Sequence, residues 1–160
     1  MKPIYLLFLI ALCSFSCKKE HEKYIEVVSM NNTRPINELK KLVLSKGDTV
    51  AYNELETAFM NEKYSEEYLL YSIVMADKYN YHRAYFHVYN CLTSVFEFNV
   101  GEIDEATKAL AIKYLKKGAE LNDPESTKYL GDLYLEGKYV PKDTILGKKL
   151  EEKGRILCGF

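Results

Sequence analysis

The stretch YLGDLYLEGKYVPKD, residues 129–143, decides the fold of this chain. Leu130 and Tyr134 lie four positions apart, so they share one face of a predicted helix. Gly137 predicts the end of that helix, because glycine readily adopts the positive φ found just after a last turn. Asp143 predicts the N-cap of the next helix, since its carboxylate can accept free backbone N–H groups. The stretch therefore predicts two helices joined by a short turn of fixed shape.

Small residues in the same region predict a close approach between helices. Gly131 has no side chain, so we expect the preceding helix to pack directly against its backbone. That preceding helix offers a matching face, made of Ala111, Leu115, Gly118 and Ala119. Val140 is predicted to bury its side chain where the turn meets the core, and Pro141 stiffens the turn.

Residues 109–150 resemble a Sel1-like repeat, a relative of the tetratricopeptide repeat. The family's pattern is a helix ending in paired small residues, a polar turn, a Leu-Gly-x-x-Tyr helix, a glycine, Val-x-x-Asp and a later small residue. This chain supplies Gly118, Ala119, Asn122, Asp123, Leu130, Gly131, Tyr134, Gly137, Val140, Asp143 and Gly147. It departs from the family at Gly118 and Gly147, where alanine is usual. The resemblance implies an all-α, right-handed solenoid of antiparallel helix hairpins, with a concave face that binds other proteins.

Helical periodicity also extends over the chain upstream of this repeat. Apolar residues three and four apart predict seven helices, at about residues 36–45, 49–61, 65–79, 81–97, 104–121, 124–136 and 143–157. Because short loops join them, neighbouring helices are expected to form antiparallel hairpins. Ala51 and Ala84 hold equivalent positions 33 residues apart, close to the tetratricopeptide period of about 34 residues.

The N-terminal region predicts export and a membrane anchor. Lys2 precedes a short apolar run at residues 4–12, and small residues lead to Cys17. This layout is typical of a secretory signal, and the run is shorter than the roughly 20 apolar residues that a membrane-spanning helix needs. The region resembles a bacterial lipoprotein signal, with Cys17 as the lipidation site.

The predicted organisation is a lipoprotein signal peptide at residues 1–16, a lipid-anchored tether at 17–34 and a Sel1/tetratricopeptide-like domain at 35–160. Lys18 follows the cysteine where the resembling family can have aspartate, which favours the outer membrane of a bacterial envelope. One alternative is an ordinary cleaved signal that leaves Cys17 as a free thiol. Cleavage before Cys13 is a second alternative, but the bulky Leu12 opposes it.

Composition and motifs give no support to nucleic-acid binding, metal binding or catalysis. The net charge of −1 is not that of a nucleic-acid-binding domain. The sequence contains no nucleotide-binding glycine loop, His-Glu-x-x-His or Cys-x-x-Cys motif. His82 and His87 diverge on a helix, whereas zinc needs three or four converging ligands. We therefore predict no metal, no cofactor and no enzyme, although a nucleophile built from Cys91 and His87 remains the enzymatic alternative.

Tyrosine is unusually frequent, at 14 of 160 residues, and half of these lie between positions 64 and 89. Tyr81, Tyr85 and Tyr89 repeat every four residues and predict a stripe that packs in the core. Tyr68 and Tyr71 are instead predicted to lie on the surface, where their rigid rings would contact a partner. Cys91 is predicted to be a buried thiol and Cys158 a free one.

These features predict a non-enzymatic module that binds a protein or peptide through its helical-repeat surface. The leading form is an envelope lipoprotein that acts as an adaptor or scaffold, held at the membrane by its N-terminal lipid. The alternative is an immunity protein that neutralises a toxin delivered into the envelope, because a small anchored repeat domain can offer a concave inhibitory surface.

Overall fold

The computed structural model describes residues 34–60, 65–97 and 103–159, and every regular element in these ranges is an α-helix. The predicted signal peptide, the predicted lipidation site Cys17 and most of the predicted tether lie outside the described residues. The helices are α1 (Ile36–Lys46), α2 (Thr49–Met60), α3 (Ser65–Asp77), α4 (His82–Glu97), α5 (Glu105–Glu120), α6 (Pro124–Glu136) and α7 (Thr144–Leu157). The seven predicted helices are therefore confirmed, with ends that shift by only a few residues.

The predicted ends of the helices are confirmed by their hydrogen bonds and dihedral angles. Gly47 and Gly137 follow α1 and α6 with φ of 63° and 75°, as expected for left-handed C-terminal glycines. The side chains of Asp104, Asp123 and Asp143 accept backbone N–H groups at the starts of α5, α6 and α7. Local sequence chemistry therefore sets where these helices stop and start.

Each helix packs against its neighbour in sequence, and α1 also contacts α3 while α4 also contacts α6. Buried side chains form two clusters along this series. The first cluster lies among α1 to α4 and contains Leu39, Val43, Ala51, Tyr52, Leu55, Phe59, Tyr68, Tyr71, Met75, Ala76, Ala84, Tyr85 and Val88. The second lies among α4 to α7 and contains Tyr89, Ala111, Ile112, Leu115, Ala119, Leu130, Leu133 and Val140. Helix α4 therefore lies between the clusters and contributes to both.

The close contact at Gly131 involves the following helix, not the preceding one as predicted. A methyl group at Gly131 would lie 2.9 Å from the backbone nitrogen of Glu151 and 3.0 Å from the carbonyl oxygen of Gly147, both on α7. Gly154, two turns after Gly147, lies equally close to the backbone of Lys128 on α6. The glycines thus let the backbones of α6 and α7 touch.

The tyrosine predictions divide into one success and one error. Tyr85 and Tyr89 are buried and Tyr81 is half-buried against the first cluster, which confirms the core stripe. Tyr68 and Tyr71 are only 8% and 5% exposed, so their predicted place on the surface is wrong. Their face of α3 also carries Met75 and Ala76, and it packs between α1, α2 and α4.

The C-terminal helix is covered on one side only. Gly147 and Gly154 are buried against α6, whereas Ile145 is 83% and Ile156 is 61% exposed. Lys153 reaches back to the carbonyl oxygen of Ala119 at the end of α5. None of the seven helices combines the length and the apolar character that a membrane crossing needs.

Candidate functional site

A row of charged side chains connects α2, α4 and α6. The guanidinium of Arg83 on α4 donates to Oε1 of Glu56 on α2 over 3.2 Å. Burial disfavours the charged form of Arg83, but the negative charges of Glu56 and of Glu125 on α6 more than offset it and raise the pKa of Arg83. The Nε atom of Arg83 is buried and has no hydrogen-bond partner among the described residues. Arg83 therefore keeps one donor unused at this point.

Three aromatic rings lie beside this row. Tyr129 on α6 is 46% exposed, and the centre of its ring lies 5.0 Å from that of Phe86 and 6.1 Å from that of Tyr89. Phe86 is half-buried and Tyr89 is buried, so the exposed ring of Tyr129 packs against two less exposed rings. We call Arg83, Phe86, Tyr89, Glu125 and Tyr129 the α4–α6 face.

A buried polar cluster lies directly behind Glu56. Nδ1 of His87 lies 2.8 Å from the hydroxyl groups of both Tyr52 and Tyr68. The Tyr52 hydroxyl donates to Ser72 over 2.9 Å, and Ser72 donates to the backbone carbonyl of Tyr68 over 2.9 Å. Nε2 of His87 lies 3.1 Å from Oε1 of Glu56. We call His87, Tyr52, Tyr68 and Ser72 the His87 cluster.

The two ring nitrogens of His87 have different partners. Nε2 faces the Glu56 carboxylate, whereas Nδ1 lies within hydrogen-bond distance of both tyrosine hydroxyls. Burial opposes ionisation of Glu56, but the hydrogen bond and charge of His87, together with Arg83, more than offset it and lower its pKa. Burial is also the main cause that raises the pKa of Tyr52 and Tyr68. The cluster therefore fixes α2, α3 and α4 against each other with neutral phenols.

The environment of Cys91 does not favour nucleophilic chemistry. Burial raises the pKa of its thiol to about 11, so the protonated form predominates at neutral pH. A reactive cysteine needs the opposite shift, toward the thiolate. Cys91 and Cys158 are both free thiols, with Cys91 half-buried and Cys158 exposed.

The two helical histidines have separate partners. Nδ1 of His82 lies 3.1 Å from Oδ1 of Asp123, at the N-terminus of α6, whereas His87 faces Glu56 and the two tyrosines. In the part of the chain that the structure describes, no three His, Cys, Asp or Glu side chains come together in a way that could hold a metal ion.

The structure brings together residues that the sequence did not single out. Tyr68 joins the His87 cluster, and Tyr71 donates to Glu67 while its ring packs on Phe59. Glu56, Arg83, Phe86 and Tyr129 were not predicted as site residues. One feature of the sequence could have indicated this site. Tyr129 is a large aromatic residue that directly precedes Leu130 and lies off the apolar stripe of its helix, so it is expected to be exposed.

Comparisons with protein-family models, with curated proteins and with solved structures find no match for this chain. The Sel1-like resemblance therefore stays a prediction from the residues that suggested it.

Proposed function

We propose that this protein is a non-enzymatic interaction module that binds a protein or peptide through the α4–α6 face. One observation carries the proposal, namely the half-exposed ring of Tyr129 packed against Phe86 and Tyr89. Tyrosine and arginine are enriched among the residues that dominate binding energies, because a rigid ring or a planar guanidinium loses little freedom when it binds. Such a face suits an adaptor or scaffold.

The groups around the ring support recognition of a polypeptide. The side chain of Arg83 is 39% exposed, so the outer part of its guanidinium can donate to a backbone carbonyl or a carboxylate of a partner. Glu56 holds the guanidinium from the inner side, and the His87 cluster holds the helices beneath it. A surface ordered before binding loses less conformational entropy when the partner docks.

We further propose that the hairpins stack as a right-handed solenoid of the Sel1 or tetratricopeptide kind. The contacts of each helix with the next, together with those between α1 and α3 and between α4 and α6, support such stacking. In this arrangement α4 and α6 would be the second helices of successive hairpins, and their mutual contact would place the α4–α6 face on one side of the stack. The glycine-mediated approach of α6 and α7 supports the same close pairing of successive helices.

The proposed location is the bacterial envelope, with Cys17 as the lipid-bearing residue and the outer membrane as the destination. Lys2, the apolar run at 4–12 and the small residues before Cys17 support it. Incorporation of labelled palmitate and recovery in the membrane fraction should both be lost in Cys17→Ala. A Cys17→Ala chain that stays in the membrane fraction would contradict the anchor.

The binding proposal is tested by affinity capture of the full-length chain from envelope membranes, compared with Tyr129→Lys. We expect a discrete protein to co-purify with the wild type and about tenfold less of it with the variant, since a central aromatic contact contributes strongly. The matched control is Ile145→Lys, which places lysine at an exposed apolar position on α7 and should capture as well as wild type. Equal capture by all three chains, or turnover of a small substrate without any captured protein, would contradict the proposal.

A further inference from the structure

A concave surface lies along α5, and none of its lining residues belongs to the α4–α6 face. It is a cleft of about 600 Å³ lined by Asp77 at the end of α3, Tyr85 on α4 and one side of α5. The α5 residues in this lining are Ala109, Ile112, Lys113, Tyr114, Lys116, Lys117 and Glu120. We call it the α5 cleft.

The inner part of the α5 cleft is aromatic and apolar. Tyr85 and Ile112 are buried, and the ring of the half-buried Tyr114 lies 6.0 Å from that of Tyr85. The Tyr114 hydroxyl donates to Asp77 over 2.7 Å. Burial, together with this hydrogen bond to a carboxylate, raises the pKa of Tyr114 to about 12, so the phenol stays protonated. Asp77 thus accepts a hydrogen bond from inside the cleft.

The outer part of the α5 cleft is positively charged. Lys113 and Lys116 are exposed, and neither forms an ion pair with a described residue. Among the described residues, the ion-pair partner of Lys117 is Glu120, which is one helical turn away, 3.2 Å distant and also exposed. Exposed pairs of this kind contribute little and exchange readily. The lining of the cleft therefore carries three lysines against two carboxylates, Asp77 and Glu120, and Lys113 and Lys116 are the lysines left without an ion pair among the described residues.

We propose that the α5 cleft is a second binding site, which takes an acidic segment of a partner protein. Apolar side chains of the segment would lie on Ile112 and Tyr114, while its carboxylates meet Lys113 and Lys116. A concave surface with an aromatic floor fits a chain that projects side chains inward, whereas a membrane surface would reach the lysines but not the floor. The site uses none of the residues of the α4–α6 face, so it would make the protein a two-site adaptor.

The experiment selects a displayed library of random 12-residue peptides on the full-length chain held in non-ionic detergent. We expect the selected peptides to be rich in glutamate and aspartate and to bind more weakly as salt rises. Binding should fall about tenfold in the double variant Lys113→Glu/Lys116→Glu, because each reversal replaces an attraction with a repulsion. Both positions are exposed, so the variant should melt like the wild type.

The matched control is Lys148→Glu/Lys149→Glu, which reverses two exposed lysines on α7 and should leave peptide binding unchanged. Selected peptides without acidic enrichment, or equal loss in both double variants, would overturn the α5 cleft proposal and leave the α4–α6 face untouched. Vesicles of phosphatidylglycerol test whether the same lysines bind an anionic lipid surface. If they compete for Lys113 and Lys116 while no acidic peptide is selected, the surface binds anionic lipid and the proposal is wrong.

Discussion

Oε1 of Glu56 lies 3.1 Å from Nε2 of His87 and 3.2 Å from Nη2 of Arg83. One carboxylate oxygen therefore joins the buried His87 cluster to the guanidinium on the α4–α6 face. Removal of either partner leaves a nearly buried charge with one contact fewer, which is costly in a low-dielectric environment. The order of the proposed binding surface thus depends on hydrogen bonds in the core.

Loss of the imidazole in His87→Leu should destabilise the fold by about 2–4 kcal/mol, because the buried Tyr68 hydroxyl and Glu56 each lose a partner. Urea denaturation of wild type and variant measures this difference. The control is His82→Leu, whose side chain is half exposed and whose loss should cost less than about 1 kcal/mol. A His87→Leu chain as stable as the control would contradict the hydrogen-bonding account of the His87 cluster.

Acid should weaken the fold through Glu56. Its folded-state pKa lies below the ordinary 4.5, so its contribution to stability is present above pH 4.5 and is lost as pH falls through the lower folded value. Glu56→Gln cannot titrate at this position. The stability gap between wild type and Glu56→Gln should therefore shrink in denaturation curves as the pH is lowered from neutral to well below 4.5. A gap that stays constant over this range would show that the carboxylate has no special stabilisation.

A single methyl group should disrupt the junction of α6 and α7. Gly131→Ala gains about 1 kcal/mol of helix propensity, but the new methyl group would meet the backbone of α7 at 2.9 and 3.0 Å. Backbone atoms in a packed helix cannot move aside cheaply, so we expect a net loss of about 2 kcal/mol. Thermal denaturation tests this against Glu136→Ala, an exposed change on the same helix. A stabilised Gly131→Ala chain would contradict the close approach of the two backbones.

Removal of one buried hydroxyl should stabilise the protein. Oγ of Ser126 is buried beside Gly118 and has no hydrogen-bond partner among the described residues. Ser126→Ala removes the desolvated group and should add about 1 kcal/mol to the free energy of unfolding. Ser72→Ala is the matched comparison, since the Ser72 hydroxyl both accepts and donates, and it should be destabilising. Equal effects of the two substitutions would contradict this difference.

The local features of the fold could be predicted because each depends on a few neighbouring residues. Gly47 and Gly137 end helices through their own positive φ, and Asp104, Asp123 and Asp143 begin them through side chains that reach only two or three residues ahead. The core stripe of Tyr85 and Tyr89 follows from helical spacing alone. Such signals act within one turn of chain and do not depend on what packs elsewhere.

The errors concern which element covers which face. Tyr68 and Tyr71 lie on a face of α3 that was expected to be open, but α1, α2 and α4 cover it. His87 could not be assigned from spacing, because its partners lie 19 and 35 positions away on α3 and α2. Gly131 signalled a close contact but not its direction, since a missing side chain does not say which neighbour uses the space.

By itself, the sequence determined seven helices, their caps and the tight turn at Gly137. Only the tertiary structure decided that Glu56 links His87 to Arg83, and that Phe86 and Tyr129 form one surface. The physical reason is range: backbone dihedrals and caps are satisfied locally, whereas burial, shared hydrogen bonds and ring contacts depend on helices far apart in sequence meeting at a particular angle.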